Sequence, residues 1–319
     1  MKITVLDRSA MGMDLPFDML ESIESVGEVS IFDSTSAEDI ESRIYNSDII
    51  ILNKAKITEK IINSSKALKL ICVFATGYDN IDVIAAKKAG VAVCNVPGYS
   101  TDSVVLFTMA NVLALLSHLR EYNDYVISGK YTNSGVPNKL TPIFHELSGK
   151  VWGIVGLGNI GKAVARAAEA MGAKVIANKR VPIEGYECVS IDELCQRSDI
   201  ITLHCPLNDG TRGIINKEKI SLMKDSVVIV NEARGAVINE EDICDAITSG
   251  RIAAFGSDVY SIEPFSENHP FNFIKNKSNV LLTPHAAWGA YEARVRCLEI
   301  ICNNIRAFVN GESLNRVDK

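Results

Sequence analysis

Three polar residues stand just beyond successive apolar runs in the second half of the chain: Arg234 within Asn-Glu-Ala-Arg-Gly (231–235), Glu263 within Asp-Val-Tyr-Ser-Ile-Glu-Pro (258–264), and His285 within Thr-Pro-His (283–285). A guanidinium grips a carboxylate through two parallel hydrogen bonds and polarises a neighbouring carbonyl. An imidazole delivers a proton near neutral pH. A carboxylate behind the imidazole orients the ring and stabilises its charged form. Grip, proton donor and orienting acid are what the reduction of a 2-keto acid asks of a protein, apart from the hydride itself. Each residue alone has a duller explanation, because loop Arg and Glu usually face water and a lone His is usually structural. His118, His145, His204 and His269 keep that duller reading.

The hydride source is written in Val-Trp-Gly-Ile-Val-Gly156-Leu-Gly158-Asn159-Ile160-Gly161-Lys-Ala-Val-Ala (151–165), an apolar strand running through G-x-G-x-x-G into a helix. Gly156 permits the tight turn, Gly158 lets the backbone approach a pyrophosphate, and Gly161 allows close helix–strand contact. Free N–H groups and the positive end of the helix dipole then face the phosphates. The motif alone is weak, but here it follows a strand, opens a helix and leads to a second strand at 174–177. After that second strand an NAD-binding unit carries an acid for the ribose hydroxyls. This chain reads Asn178-Lys179-Arg180 instead, two cations that suit a 2′-phosphate, although both could simply face solvent. NADP(H) is favoured on this ground and NAD(H) stays open.

Those residues need a scaffold. Short β-rich runs at 3–6, 29–32, 49–52, 70–74 and 91–94 alternate with amphipathic stretches such as 37–45 and 82–89. The alternation predicts parallel βαβ units. A long apolar helix is expected over 101–120, then a Gly/Pro/Asn-rich segment over 129–142. A second series places strands at 151–155, 174–177, 200–203, 227–230, 252–256 and 280–282, and a helix over 290–309 closes the chain. Ligands of open parallel sheets sit beyond the carboxyl ends of strands, where the glycine turn, Arg234, Glu263 and His285 all fall. The expected class is α/β with two doubly wound parallel sheets.

At these residues the sequence resembles the D-isomer-specific 2-hydroxyacid dehydrogenases, particularly their glycerate dehydrogenase and hydroxypyruvate reductase branch. The matching stretches, in family order, are ATGYDNID (75–82), NVPGYSTDSV (95–104), ELSGKVWGIVGLGNIGKAVA (146–165), SDIITLHCPL (198–207), NEARGAVINEEDI (231–243), SDVYSIEP (257–264) and LLTPHAAW (281–288). The resemblance implies Arg234 as the substrate-binding arginine, His285 as acid/base, Glu263 as its partner and Asp258 as a cofactor-side acid. It implies backbone N–H groups at Thr76–Gly77 for the substrate carboxylate, and cofactor contacts at Gly156, Gly158, Asn159, Ile160, Gly161, Cys205, Pro206 and Ala233 besides Lys179 and Arg180. It also implies a Rossmann-type nucleotide domain over 99–286, a discontinuous flavodoxin-like substrate domain over 1–98 and 287–319, and a homodimer joined through the nucleotide domains around 101–120. Three positions depart from the family: Lys179-Arg180 replaces an acid, Leu106 stands where many members carry Glu or Gln, and Glu232 is unusual beside the active-site arginine. The end at Lys319 leaves no room for the regulatory extension of long phosphoglycerate dehydrogenases.

The chain has 319 residues, 47% hydrophobic and 23% charged, values of an ordinary globular protein that exclude disordered and low-complexity classes. A net charge of −6 without a basic block argues against nucleic acid and anionic membrane as partners. The opening residues lack the apolar core of a secretory signal, and the most apolar run, 104–116, is too short for a membrane span. Eight cysteines without C-x-x-C pairs or ligand spacing are expected as buried thiols in a reducing cytoplasm, with no metal site. The expectation is an NAD(P)-dependent reductase of a small 2-keto acid such as glyoxylate or hydroxypyruvate. The rival class is a nucleotide-sensing, corepressor-like binding protein on the same fold. Lys54 and Tyr78 are candidate pocket residues for which surface or core roles are equally open.

Overall fold

A computed structural model describes every residue except Ser25. The chain divides into two compact units, Met1–Ser100 with Gly289–Lys319 and Thr101–Trp288. In the first, strands β1 (Lys2–Val5), β2 (Glu28–Ile31), β3 (Ile49–Leu52), β4 (Leu70–Val73) and β5 (Ala92–Cys94) alternate with helices α1 (Ile40–Ile44), α2 (Glu59–Ser64) and α3 (Val83–Lys88). The sheet is wholly parallel, in the order β2-β1-β3-β4-β5. Its order reverses at β1, the switch point of a flavodoxin-like unit, so β1 and β3 open their carboxyl ends side by side. The two central strands Ile-Ile-Ile-Leu and Leu-Ile-Cys-Val are buried at every position, which is why they read as unbroken apolar runs.

The second unit opens with α4 (Thr101–Leu116), α5 (Leu119–Ile127) and α6 (Lys130–Ser134). There follow β6 (Val151–Val155), α7 (Asn159–Ala170), β7 (Lys174–Asn178), β8 (Glu187–Cys188), α8 (Ile191–Arg197) and β9 (Ile200–Leu203). Then come α9 (Lys217–Leu222), β10 (Val228–Asn231), α10 (Glu240–Ser249), β11 (Ala254–Ser257) and β12 (Val280–Leu282). The strands form one parallel sheet in the order β12-β11-β10-β9-β6-β7-β8, with the switch point between β9 and β6. Apolar cores cover both faces. One centres on Leu203, Ile229 and Phe255, the other on Trp152, Val230, Val112 and Leu115, the last two from α4. The final helix, α11 (Tyr291–Val309), belongs to the first unit, where it buries Cys297, Leu298, Ile301 and Ile305.

Three expectations change. The helix expected over 101–120 is two helices meeting at 66°. Ser117 Oγ donates back to the Leu113 carbonyl (2.7 Å), a contact that bends helices, and His118 then takes a left-handed backbone (φ 52°) that ends the first one. The strand β8 is an addition, too short at two residues to carry a pattern. The Gly/Pro/Asn-rich segment over 129–142, to which no element was assigned, contains α6, closed at both ends by left-handed Gly129 and Gly135. No single helix among the described residues is long and apolar enough to cross a membrane. Seven of the eight cysteines are buried, all eight are free thiols, and Cys188 is half-buried.

Gly153 in β6 is fixed by packing, since a Cβ there would lie 2.3 Å from Ser198 Oγ and 2.7 Å from Leu194 Cδ2. Gly153→Ala is therefore expected to lose about 1–3 kcal/mol by overpacking, read as a lower midpoint in thermal or urea unfolding.

Candidate active site

The glycine turn follows β6. Gly156 has φ 96°, and a Cβ on it would fall 2.6 Å from the backbone nitrogen of Cys205, the residue that starts the turn after β9. A Cβ on Gly161 would sit 2.2 Å from the Gly156 carbonyl oxygen, so helix α7 can approach the strand only without a side chain there. Gly158 differs: a Cβ would meet nothing within 4 Å, because this residue faces open space in front of the α7 N-terminus. Gly158 and Asn159 are exposed and Ile160 half-buried in that first turn. A tight turn closed by two packed glycines, with the third left open before a twelve-residue helix, fits a pyrophosphate approaching free N–H groups. When bound, a nicotinamide dinucleotide supplies the hydride.

Beyond β7, Lys179 is half-buried and its Nζ donates to the Leu157 carbonyl in the glycine turn (3.0 Å). Arg180 is exposed. On the other side of the switch point lie Cys205 and Ala233, both buried, and the exposed Pro206.

The Arg234 turn is built by Asn231, the last residue of β10 and fully buried. Its Oδ1 accepts the Ala233 N–H (3.1 Å) while its Nδ2 donates to the Arg234 carbonyl (3.0 Å). One amide thus pins both ends of the turn. Arg234 is half-buried and its guanidinium also donates to the Ala233 carbonyl (2.8 Å). Next, Gly235 lies so close to the loop after β11 that a Cβ would be 1.9 Å from the Tyr260 carbonyl carbon.

That loop carries Glu263. The Tyr260 N–H donates to Glu263 Oε1 (3.1 Å), and Glu263 Oε2 lies 2.6 Å from Nδ1 of His285. Imidazole and carboxylate are each about a quarter exposed, which leaves the pair accessible at one end. A carboxylate on Nδ1 orients the ring and fixes which nitrogen carries the proton, the arrangement of a histidine general acid. His285 has a left-handed backbone (φ 53°) and is held by its own N–H to the Asp258 carbonyl (2.8 Å). Asp258, 1% exposed, accepts from Thr283 Oγ1 (2.6 Å), Ala286 N–H (2.9 Å) and Ala287 N–H (2.8 Å). Expected as a cofactor-side acid, it spends its described hydrogen bonds on the turn that carries His285.

The loop is clasped again from below. Glu240, at the start of α10, accepts the Ser261 N–H (2.8 Å) and the Ser261 hydroxyl, and lies 3.0 Å from Nε2 of His269. His269 stacks on Phe265, with centroids 4.7 Å apart. Asn231, Glu240 and His269 went unnoticed as site residues, and the only signal for the first was a buried amide closing an apolar strand.

Glu232, singled out as unusual, is 8% exposed beyond β10. Its Oε1 accepts from Asn111 Nδ2 of α4 (2.8 Å), and Oε2 has no hydrogen-bond partner among the described residues. Burial first, and then the charge of Asp258, push its carboxyl up to about 8, against a slight lowering by Asn111. His204, beyond β9, has both ring nitrogens buried without a hydrogen-bond partner among the described residues, and burial drives it down to about 3. Gly77, Lys54 and Tyr78, also singled out from the sequence, belong to the first unit. There the Asp7 carboxylate collects the N–H groups of Asn53 (2.9 Å), Lys54 (2.6 Å) and Ala55 (3.0 Å) after β3. After β4 the Thr76–Gly77 loop is tied by Thr76 Oγ1 to the Val96 carbonyl (2.9 Å) and by Asn95 Nδ2 to the Thr76 carbonyl (2.8 Å). Gly77 is half-buried, whereas Lys54 and Tyr78 are exposed.

Glu232 gives stability a pH dependence. The unfolded chain gives up this proton near 4.5 and the folded one near 8, so between those values the folded state holds more protons and stability falls as pH rises. The loss is complete above about 8. Glu232→Gln is expected to gain progressively on the parent in thermal unfolding from pH 5 to pH 9, and parallel curves would contradict the assignment.

The comparisons with known proteins agree with this architecture. Residues 109–287 match the family model described as "D-isomer specific 2-hydroxyacid dehydrogenase, NAD binding domain". A hydroxypyruvate reductase of Blautia hydrogenotrophica is 39% identical over the whole of both chains. A glyoxylate reductase of Thermococcus litoralis is 35% identical, over 83% of this chain and 81% of its own. Among solved structures, an NADPH-dependent glyoxylate/hydroxypyruvate reductase of Sinorhizobium meliloti, in complex with NADP and malonate, superposes with a TM-score of 0.85. It is 25% identical, over 99% of this chain and 96% of that one. The chain carrying this carboxylate-backed histidine and this glycine turn belongs to the D-isomer-specific 2-hydroxyacid dehydrogenase family.

Proposed function

We propose that the protein reduces a small 2-keto acid, glyoxylate or hydroxypyruvate, to the D-2-hydroxy acid with a nicotinamide cofactor. The observation that carries this is the 2.6 Å contact between Glu263 and His285 on the sheet edge that also holds the glycine turn and Arg234. Arg234 binds the substrate carboxylate and polarises its carbonyl. His285, oriented by Glu263, gives a ring proton to the oxygen as hydride reaches C2. The relatives described above are named as reductases of these two keto acids, which favours turnover over a purely sensing role.

Lys179 and Arg180, with no acid between Asn178 and Pro182, favour NADP(H) over NAD(H). The relative bound to NADP points the same way, while the matching family model is described as NAD binding. A homodimer is the proposed assembly. It would cover apolar side chains that α4, α5 and the following segment leave exposed, including Leu106, Ile127, Leu140 and Ile143. A cytoplasmic location fits eight free thiols.

His285→Asn is expected to lower kcat by about 10²- to 10⁴-fold with cofactor affinity nearly unchanged. Asn tolerates the left-handed backbone, so the variant tests the proton rather than the fold. Near-normal turnover would remove His285 from the chemistry. Arg234→Lys keeps the charge but loses the fork, so KM for the keto acid should rise while cofactor binding holds. For the cofactor, kcat/KM should be higher with NADPH, and Lys179→Ala/Arg180→Asp should reverse the order. A parent enzyme that prefers NADH would overturn that preference.

A further inference from the structure

Three titratable side chains stand in one row beyond the carboxyl ends of adjacent strands. Register pairs Leu203 of β9 with Asn231 of β10, and Asn231 with Ser257 of β11. One residue on, His204, Glu232 and Asp258 therefore stand abreast. The ladder continues through them, with the Glu232 N–H donating to the Leu203 carbonyl (3.3 Å) and the Asp258 N–H to the Asn231 carbonyl (3.1 Å). Two of the three carry buried polar atoms without partners: Oε2 of Glu232 and both ring nitrogens of His204. Buried polar atoms are almost always satisfied, so orphans in a row at the ligand edge of a sheet point to something that arrives from outside.

Topology says what arrives. The dinucleotide crosses the switch point between β6 and β9 with its pyrophosphate at the glycine turn. Lys179 and Arg180 follow β7 and take the adenosine side, so the nicotinamide side lies over β9, β10 and β11, where the row stands. In the reduced cofactor that ring is neutral; in the oxidised cofactor it carries a positive charge.

We propose that Glu232 makes the site sense the redox state of its cofactor: it stays a neutral acid beside the reduced ring and gives its proton to solvent when the oxidised ring binds. The inference rests on the dinucleotide reading above. The balance is simple: protein with Glu232 as carboxylic acid plus oxidised cofactor gives complex with Glu232 as carboxylate plus one proton, with no bond to carbon changed. The surroundings favour such a switch. Asp258 and Tyr260 face Glu232 from the β11 side, His204 stands on the β9 side, α4 presents only the neutral amide of Asn111, and Arg234 lies two residues along the chain. Beside Asp258 a second carboxylate is disfavoured until a cation compensates it, and burial adds to that resistance. At neutral pH the oxidised product then gains little from Glu232 and leaves readily, which suits a reductase; in alkali the ionised pair retains it.

The test is binding, by fluorescence titration of oxidised and reduced cofactor between pH 6 and pH 9.5, in a His285→Asn background that silences the catalytic imidazole. The affinity ratio of oxidised to reduced form should rise by about tenfold across Glu232's titration, as one unit of coupling between an acid and a nearby cation requires. Glu232→Gln, isosteric with the neutral acid, should flatten the ratio, and Glu232→Thr should do so if the amide variant folds poorly. Mixing oxidised cofactor with lightly buffered protein near pH 7.5 should release a fraction of a proton, read by an indicator dye, and Glu232→Gln should abolish it. A flat ratio in the parent background, or a slope that survives both substitutions, overturns the proposal. Failure of either cofactor to bind would instead defeat the dinucleotide reading.

Discussion

The active-site geometry depends on one carboxylate, Asp258, that is almost wholly buried. Asp258 ends the β11 register and takes hydrogen bonds from Thr283, Ala286 and Ala287, while its backbone carbonyl takes the N–H of His285. The turn after β12 is thereby welded to the end of β11. Since Glu263 lies on the loop that Asp258 begins, the acid and the imidazole it supports hang from the same point. A side chain with three donors aimed at it is worth far more buried than exposed, because hydrogen bonds to a charged group strengthen where water is excluded. Rigid placement of His285 is the product of that desolvated network rather than of the loops' own propensities.

The same logic extends to Arg234. Its turn is clamped by the Asn231 amide and pressed against Tyr260 and Ser261 through the missing side chain of Gly235. Glu240 then holds Ser261 and is itself in contact with His269. Guanidinium, carboxylate and imidazole come from three adjacent strands, yet each is referred to the next by a short contact. Errors of an ångström in such an arrangement cost rate steeply, and fixing loops to strand ends is how a parallel sheet avoids them.

Much of this was legible in the sequence because the signals were local. Strands buried on both faces wrote themselves as runs such as Ile49–Leu52, and the glycine turn declared its three positions by spacing alone. Arg234, Glu263 and His285 were singled out because strand ends are where a parallel sheet keeps its chemistry, and the structure brings Glu263 and His285 into contact. What escaped was what depends on partners distant in sequence. Nothing near Glu240 announces that it will meet Ser261 and His269, twenty-one and twenty-nine residues away. The break after Leu116 depended on a serine bonding back along its own helix, which apolar periodicity does not record. The resemblance implied Asp258 as a cofactor-side acid, but not its hydrogen bonds to a turn twenty-five to twenty-nine residues on.

The left-handed backbone of His285 shows how far the fold goes to place one ring. At φ 53° an ordinary side chain is disfavoured, and glycine or asparagine would be the undemanding choice. Neither can carry a proton at neutral pH. The conformation is held by the backbone N–H bond to the Asp258 carbonyl, which any residue but proline could make, and by the contact of Nδ1 with Glu263, which needs the imidazole. Strain tolerated for a titratable ring, at the edge where the hydride donor binds, is more informative than the histidine's identity. Structural histidines such as His269 sit in an unstrained backbone (φ −64°) and fill a core. His118 shares the left-handed backbone (φ 52°) but sits at the break between α4 and α5, so strain marks His285 only together with its place at the strand ends beside Glu263.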